Sequence, residues 1–165
     1  MISVCLSCIA ISLVLLVSAN GSPILARNLL HQRFSYPIDG GLIFVDGYPL
    51  LGTAKTWRGL LASVCLSAAV GSLLGLPAAL GGLFALYSMI GDLTASFLKR
   101  RIGKIESSRA RGFDTLPESL LPAFLLKDAL TLSQLDIAII AVVFFLMEEF
   151  GSPLLYKWHI RRRPY

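Results

Sequence analysis

Residues 78–101 read AALGGLFALYSMIGDLTASFLKRR, an apolar stretch that carries one carboxylate, Asp92, and closes on three cations, Lys99, Arg100 and Arg101. At about 1.5 Å of rise per residue, a helix needs roughly 20 mostly apolar residues to cross a hydrocarbon core of about 30 Å. The stretch meets that length and reads as a membrane span over residues 78–98, with its basic end at the surface. The whole chain agrees: of 165 residues, 55% are hydrophobic and only 15% charged, and the mean hydropathy is +0.72. A soluble domain needs about 25% charged residues to wet its surface. In a soluble chain the net charge of +5 would suggest nucleic acid. Here it asks which membrane face is basic, and no nucleic-acid partner is expected.

Further spans lie on both sides. Residues 60–76 form an apolar run with Ser67, Gly71 and Gly75 at four-residue spacing, small residues that let helix backbones approach; Pro77 breaks it. Residues 2–19 contain no charge, and Ser18-Ala19-Asn20-Gly21 resembles a signal-peptide cleavage site. The first basic residue is Arg27, however, so the basic n-region is missing and the segment reads as a retained helix. Residues 136–156 are long and β-branched, with Glu148-Glu149 near the end. Residues 119–132 are the weakest span, holding Pro122 and Lys127-Asp128. Cys5, Cys8 and Cys65 sit in apolar runs and suggest no disulfide framework.

The cations test this list. Arg27, Arg33, Lys55 and Arg58 fall between spans one and two; Lys99, Arg100, Arg101, Lys104, Arg109 and Arg111 fall between three and four; Lys157, Arg161, Arg162 and Arg163 follow span five. Of 15 basic residues only Lys127 stands elsewhere. Five spans place all three groups on one side, which the positive-inside rule makes cytoplasmic. The expected fold is therefore an all-α membrane protein of five transmembrane helices in a single domain over residues 1–165. Its N-terminus is outside and its C-terminus cytoplasmic, in the cell membrane. Loops 20–59 and 99–118 face the cytoplasm, and Trp158 and Tyr165 beside the terminal arginines anchor the chain among interfacial membrane lipids.

The first loop places Leu42–Val45 and Tyr48–Leu51 around the Asp46-Gly47 turn, the pattern of a short β-hairpin. Taken alone, its glycines need mean no more than turn geometry. Gly52 to Thr56 superficially resembles a P-loop but lacks the first glycine and the preceding buried strand. In the third span Asp92, Ser96 and Lys99 (i, i+4, i+7) share one helical face, with Arg100 close beside it. A carboxylate inside a span is costly and points to function, although a neutralising Asp92–Lys99 pair is the plainer reading. Downstream, Gly112-Phe113-Asp114-Thr115-Leu116-Pro117-Glu118 returns a second acidic pair to the head of span four.

Carboxylates beside lysines and arginines at a membrane surface suit a polyphosphate held through Mg²⁺. The carboxylates supply the hard oxygen ligands and the cations neutralise the remaining phosphate oxygens. Phosphoryl or nucleotidyl transfer then needs alignment and charge stabilisation more than covalent chemistry. A phosphate nucleophile is already anionic, so the distance of His31 and His159 from these motifs is no obstacle.

At this point the residues resemble a family. Pro37-Ile38-Asp39-Gly40-Gly41, Asp46-Gly47, Leu51-Gly52, Lys55-Thr56-Trp57-Arg58-Gly59 and the run from Gly91-Asp92 through Ser96 to Arg101 are similar to the CDP-archaeol synthase family. Ala19-Asn20-Gly21-Ser22-Pro23 and Phe113–Glu118 are similar too, so the matches run from residue 19 to 118. The Ser96…Lys99-Arg100 pattern is also similar to the larger phosphatidate cytidylyltransferases. The resemblance implies Mg²⁺-dependent transfer of CMP from CTP to a lipid phosphate, giving a CDP-lipid and pyrophosphate. It implies Asp92 and Asp114 as metal ligands, with Lys99 and Arg100 beside them as catalytic cations. Ser96, Arg101, Lys55, Thr56 and Arg58 would bind the nucleotide's phosphates, Asp39, Gly40 and Gly41 would shape the nucleotide site, and Asn20 and Pro23 would line the pocket. The acceptor is an archaeol-type ether lipid phosphate or a phosphatidate-like one.

Two other classes compete. A small transporter or channel would use Asp92 and Lys127-Asp128 as intramembrane ion sites and predicts charge at mid-membrane. A structural subunit binding anionic headgroups explains Arg161–Arg163 but not carboxylates beside Lys99–Arg101.

Overall fold

Pro77 has no backbone N–H to donate, and it divides the apolar stretch around it into two helices. The computed structural model describes residues 4–104 and 115–157, with side chains to residue 151. In it, α2 spans Trp57–Leu73 and α3 spans Ala78–Arg101. Between them Gly75 takes φ +82° while Leu76 N donates to Gly71 O at 2.9 Å, a helix ending that glycine adopts without strain. Gly75 therefore belongs to the turn and not to the packing stripe. The buried residues of α2 are Gly59, Ser63, Ser67 and Gly71, one per turn, and they face α3 and α1. A Cβ on Gly81 of α3 would stand 2.4 Å from Ser67 O, so the two backbones meet where only glycine fits.

The other helices are α1, Leu6–Leu30; α4, Thr115–Leu125; and α5, Gln134–Lys157. Among the described residues the fold is all-helical, with no strand. Leu15 and Leu16 of α1, Phe84 of α3 and Ile137, Ile140 and Phe144 of α5 make the core. Large apolar side chains such as Leu6 and Leu73 remain on the outside, a surface suited to lipid. By length and composition α1 and α3 are each able to cross a membrane, and α2 is a shorter apolar helix.

Several boundaries differ from expectation. The first loop was expected from residue 20, yet α1 runs on through Pro23 to Leu30. A proline at position 23 leaves Ala19 O without its helical partner, and Ser63 Oγ of α2 donates to that oxygen at 2.8 Å. The helix survives its proline because a neighbour satisfies the freed carbonyl. In the 42–51 segment Phe44 N donates to Tyr48 O and Leu50 N to Leu42 O, both at 2.8 Å, with one isolated bridge between Ile43 and Pro49. The cysteines were expected to form no disulfide framework, yet Cys5 and Cys8 are bonded to each other, while Cys65 is free. Their Cα atoms are 5.3 Å apart at the first turn of α1, within the usual range for a disulfide.

The helix α4 has 11 residues, about 16 Å of rise, less than a full span. It starts at the depth of Gly91, and hydrogen-bonded turns carry the chain on to residue 132. Asp136, at the start of α5, accepts from Cys5 N at 3.1 Å, and Cys8 Sγ lies 3.4 Å from Thr131 Oγ1. The α4–α5 turn thus sits at the end of the bundle where α1 begins, opposite the 31–56 loop. Lys127 is half-buried and Asp128 exposed in that turn, so the charge pair a transporter would need at mid-membrane lies at one end of the bundle.

Candidate active site

The loop between α1 and α2 is organised from within by Asp39. Its Oδ1 accepts from Gly41 N at 3.0 Å, and its Oδ2 accepts from Leu51 N at 2.9 Å and Gly52 N at 3.1 Å. Burial alone would raise the Asp39 carboxyl, but these backbone donors outweigh it and hold the group below the usual carboxylate range. Gly40, Gly41 and Gly52 have φ of +60°, +81° and +102°, and open space surrounds Gly40 and Gly41, so their lack of a side chain serves the turn. Ile38 N donates to Lys55 O at 2.8 Å and Trp57 N to Tyr36 O at 3.1 Å. The loop is therefore clasped at its base as well as across its middle.

From this base Lys55 reaches into the bundle and pairs with Asp92 of α3; the two side chains are 25% and 19% exposed. Glu118 of α4 completes the group: its carboxyl lies beside that of Asp92, and Glu148 of α5 is near enough to act on it. Ser96, Lys99 and Arg100 are buried on the same side of α3, and Lys99 attracts Asp92 electrostatically. A Cβ on Gly91 would stand 2.2 Å from Pro117 O and 2.8 Å from Glu118 N, so the missing side chain is what lets α4 bring Glu118 to Asp92.

A small pocket of about 70 Å³ opens beside this cluster, lined by Lys55, Thr56 and Asp92 together with the apolar Pro23, Leu60 and Met89. Pro23 lines this pocket as expected but Asn20 is not among its lining residues; its Nδ2 donates to Leu16 O at 3.1 Å and to Ser88 Oγ at 3.4 Å, which ties α1 to α3.

Some expected site residues have other occupations. Thr56 Oγ1 accepts from Gly59 N at 3.4 Å as the N-cap of α2. Arg58 Nη1 donates to His31 O at 2.7 Å and Arg33 O at 2.6 Å, closing the end of α1. Arg101 lies away from Asp92. Asp114 lies outside the described residues. Spacing alone does not single out Glu118, because its relation to Asp92 depends on the contact made at Gly91. The one signal was a carboxylate entering an apolar segment, the same signal that marks Asp92.

Buried carboxylates and cations gathered at one end of a helical bundle with an apolar exterior define an intramembrane enzyme. A solved "intramembrane enzyme for archaeal membrane lipids biosynthesis" superposes with a TM-score of 0.69 at 26% identity, covering 84% of this chain and 91% of that one. The CDP-archaeol synthase of Sulfurisphaera tokodaii is 33% identical over 157 residues, 89% of each chain. That of Thermococcus onnurineus is 38% identical over 109 residues, 59% of this chain and 61% of its own length. No family model matches the chain. The chain belongs to the CDP-archaeol synthase family.

Proposed function

We propose that this protein is a membrane cytidylyltransferase that transfers CMP from CTP to an archaeol-type lipid phosphate. The observation that carries the reading is the Asp92–Glu118 pair, flanked by Lys55 and Lys99 beside a half-apolar cavity. A lipid phosphate oxygen attacks the α-phosphorus of CTP; a new P–O bond forms, the α–β bridging bond breaks, and pyrophosphate leaves. The attacking phosphate is anionic, so no strong base is needed.

Two adjoining carboxylates in a buried setting repel one another, and their oxygen donors fit Mg²⁺. Asp92 and Glu118 would hold the ion, with Asp114, four residues before Glu118 in the sequence, as a further ligand. When bound, it would offset charge on the triphosphate. Lys99 and Arg100 draw the β- and γ-phosphates, and their fixed charges favour the departing pyrophosphate. Lys55 pairs with Asp92 and holds its carboxylate in orientation. Pro23, Leu60 and Met89 offer the acceptor an apolar wall next to these charges.

Purified protein in detergent, given labelled CTP, Mg²⁺ and a panel of lipid phosphates, is expected to yield labelled CDP-lipid and pyrophosphate. A folded protein that makes no product with any member of the panel would sink the reading.

The topology that accompanies this function has five passes, with the site and the C-terminus at the cytoplasmic face of the cell membrane. It is supported by the hydrogen bond from Cys5 to Asp136, which sets the starts of α1 and α5 at one end of the bundle. A single cysteine at the C-terminus of a Cys65→Ser variant should resist impermeant thiol reagents in intact cells. Labelling from outside would overturn the arrangement.

A further inference from the structure

Three consecutive cations end α3, but a helix turns about 100° per residue, so they cannot serve one site equally. Lys99 is seven residues from Asp92 and returns to nearly the same face, whereas Arg101 is nine residues away and points about 180° from it. Lys99 and Arg100 are buried, consistent with the Asp92 side. The guanidinium of Arg101 instead lies 4.4 Å from the ring centroid of Phe44 and 4.8 Å from that of Phe97, and the two rings meet edge to face at 5.6 Å. Its Nη2 donates to Pro49 O at 2.6 Å, and its Nε stands 3.2 Å from Asp46 Oδ2. Nε and Nη1 are closed off from solvent, so a phosphate cannot take the planar fork.

We infer that Arg101 is a positioning residue that latches the first loop to α3, through Phe44, Asp46 and Pro49, and so holds Lys55 at Asp92. The connection is continuous in the backbone. The turn gripped by Arg101 is tied to Leu42 and Leu50 by hydrogen bonds, and Asp39 joins Leu51 and Gly52 to the loop's first half. Ile38, next to Asp39, holds Lys55 O. Tyr48 closes the same contact from the other side, about 3.7 Å from where a Cβ would stand on Gly103. A lysine would keep the charge of Arg101 but not its flat stacking surface or its two-sided reach.

The kinetic part of the test rests on the cytidylyltransferase reading, and the second part does not. Arg101→Lys, Asp46→Asn and Phe44→Leu are each expected to lower kcat about tenfold, with KM for CTP within about twofold, because the latch acts through the Lys55–Asp92 pair. The Arg101→Lys/Asp46→Asn double variant should be no worse than the poorer single one. Independently, limited chymotrypsin digestion should cut after Phe44, the ring that Arg101 covers, several-fold faster in Arg101→Lys than in the native protein. If Arg101→Lys raises KM for CTP while Asp46→Asn and Phe44→Leu keep the native constants, Arg101 acts on phosphate directly and the latch is wrong. Unchanged cleavage in Arg101→Lys also overturns it, whether or not the native protein transfers CMP; absence of transfer by the native protein strikes the functional reading alone.

Discussion

Asparagine at position 92 is expected to lower turnover about 10³-fold while leaving the protein inserted and folded. The substitution keeps the shape of the side chain and its place on α3 but removes the charge that Lys55 and Lys99 face. It also replaces one hard oxygen donor of the Asp92–Glu118 pair with an amide nitrogen, which suits a divalent cation poorly. The loss should appear in kcat more than in KM for the lipid, because the charge matters most where negative charge shifts towards the leaving pyrophosphate. Steady-state rates, with insertion checked by membrane fractionation and folding by thermal unfolding in detergent, decide it. Retention of most activity would reduce Asp92 to a charge partner for Lys55.

A methyl group on Gly91 is expected to lower the rate about 10²-fold without touching any charged residue. Its Cβ would meet Pro117 O at 2.2 Å, backbone against backbone, so no side chain can swing aside. The start of α4 would have to retreat on the order of 1 Å, carrying Glu118 from Asp92, and a misplacement of that size costs about 10²-fold in rate. Gly21→Ala is the control: nothing lies within 4 Å of that Cβ, and an alanine inside α1 should leave the rate unchanged and stabilise the helix by up to about 1 kcal/mol. Activity and thermal unfolding of both variants should separate them clearly. Native rates in Gly91→Ala would mean that α3 and α4 do not meet there.

Much of the site could be read from spacing because its central side chains sit on one helix. Asp92, Ser96 and Lys99 repeat at the helical period, and burial of Ser96 and Lys99 follows from that face turning inward. The helices between polar loops were equally legible, since hydrocarbon length and cation placement constrain them strongly. Their ends were not. The first span was expected to end at residue 19, and only the hydroxyl of Ser63, which takes the Ala19 carbonyl from 44 residues away along the chain, explains why α1 continues through Pro23. The cysteines misled for a similar reason: an apolar run says where a thiol sits, not whether the first helical turn brings two together.

Composition, period and the positions of the cations settled by themselves that this is a helical membrane chain with a charged site where α3 ends. These follow from solvation and from the 3.6-residue turn, which act along the sequence. Tertiary structure decided which charges belong to that site. Glu118 joins Asp92 because Gly91 has no side chain, and Asp39 spends its oxygens on backbone N–H groups of its own loop. Arg101, adjacent to Arg100 in sequence, faces the opposite way and holds Phe44, Asp46 and Pro49. Each of those outcomes depends on which backbone comes within contact distance of which other, and spacing along one chain does not contain that distance.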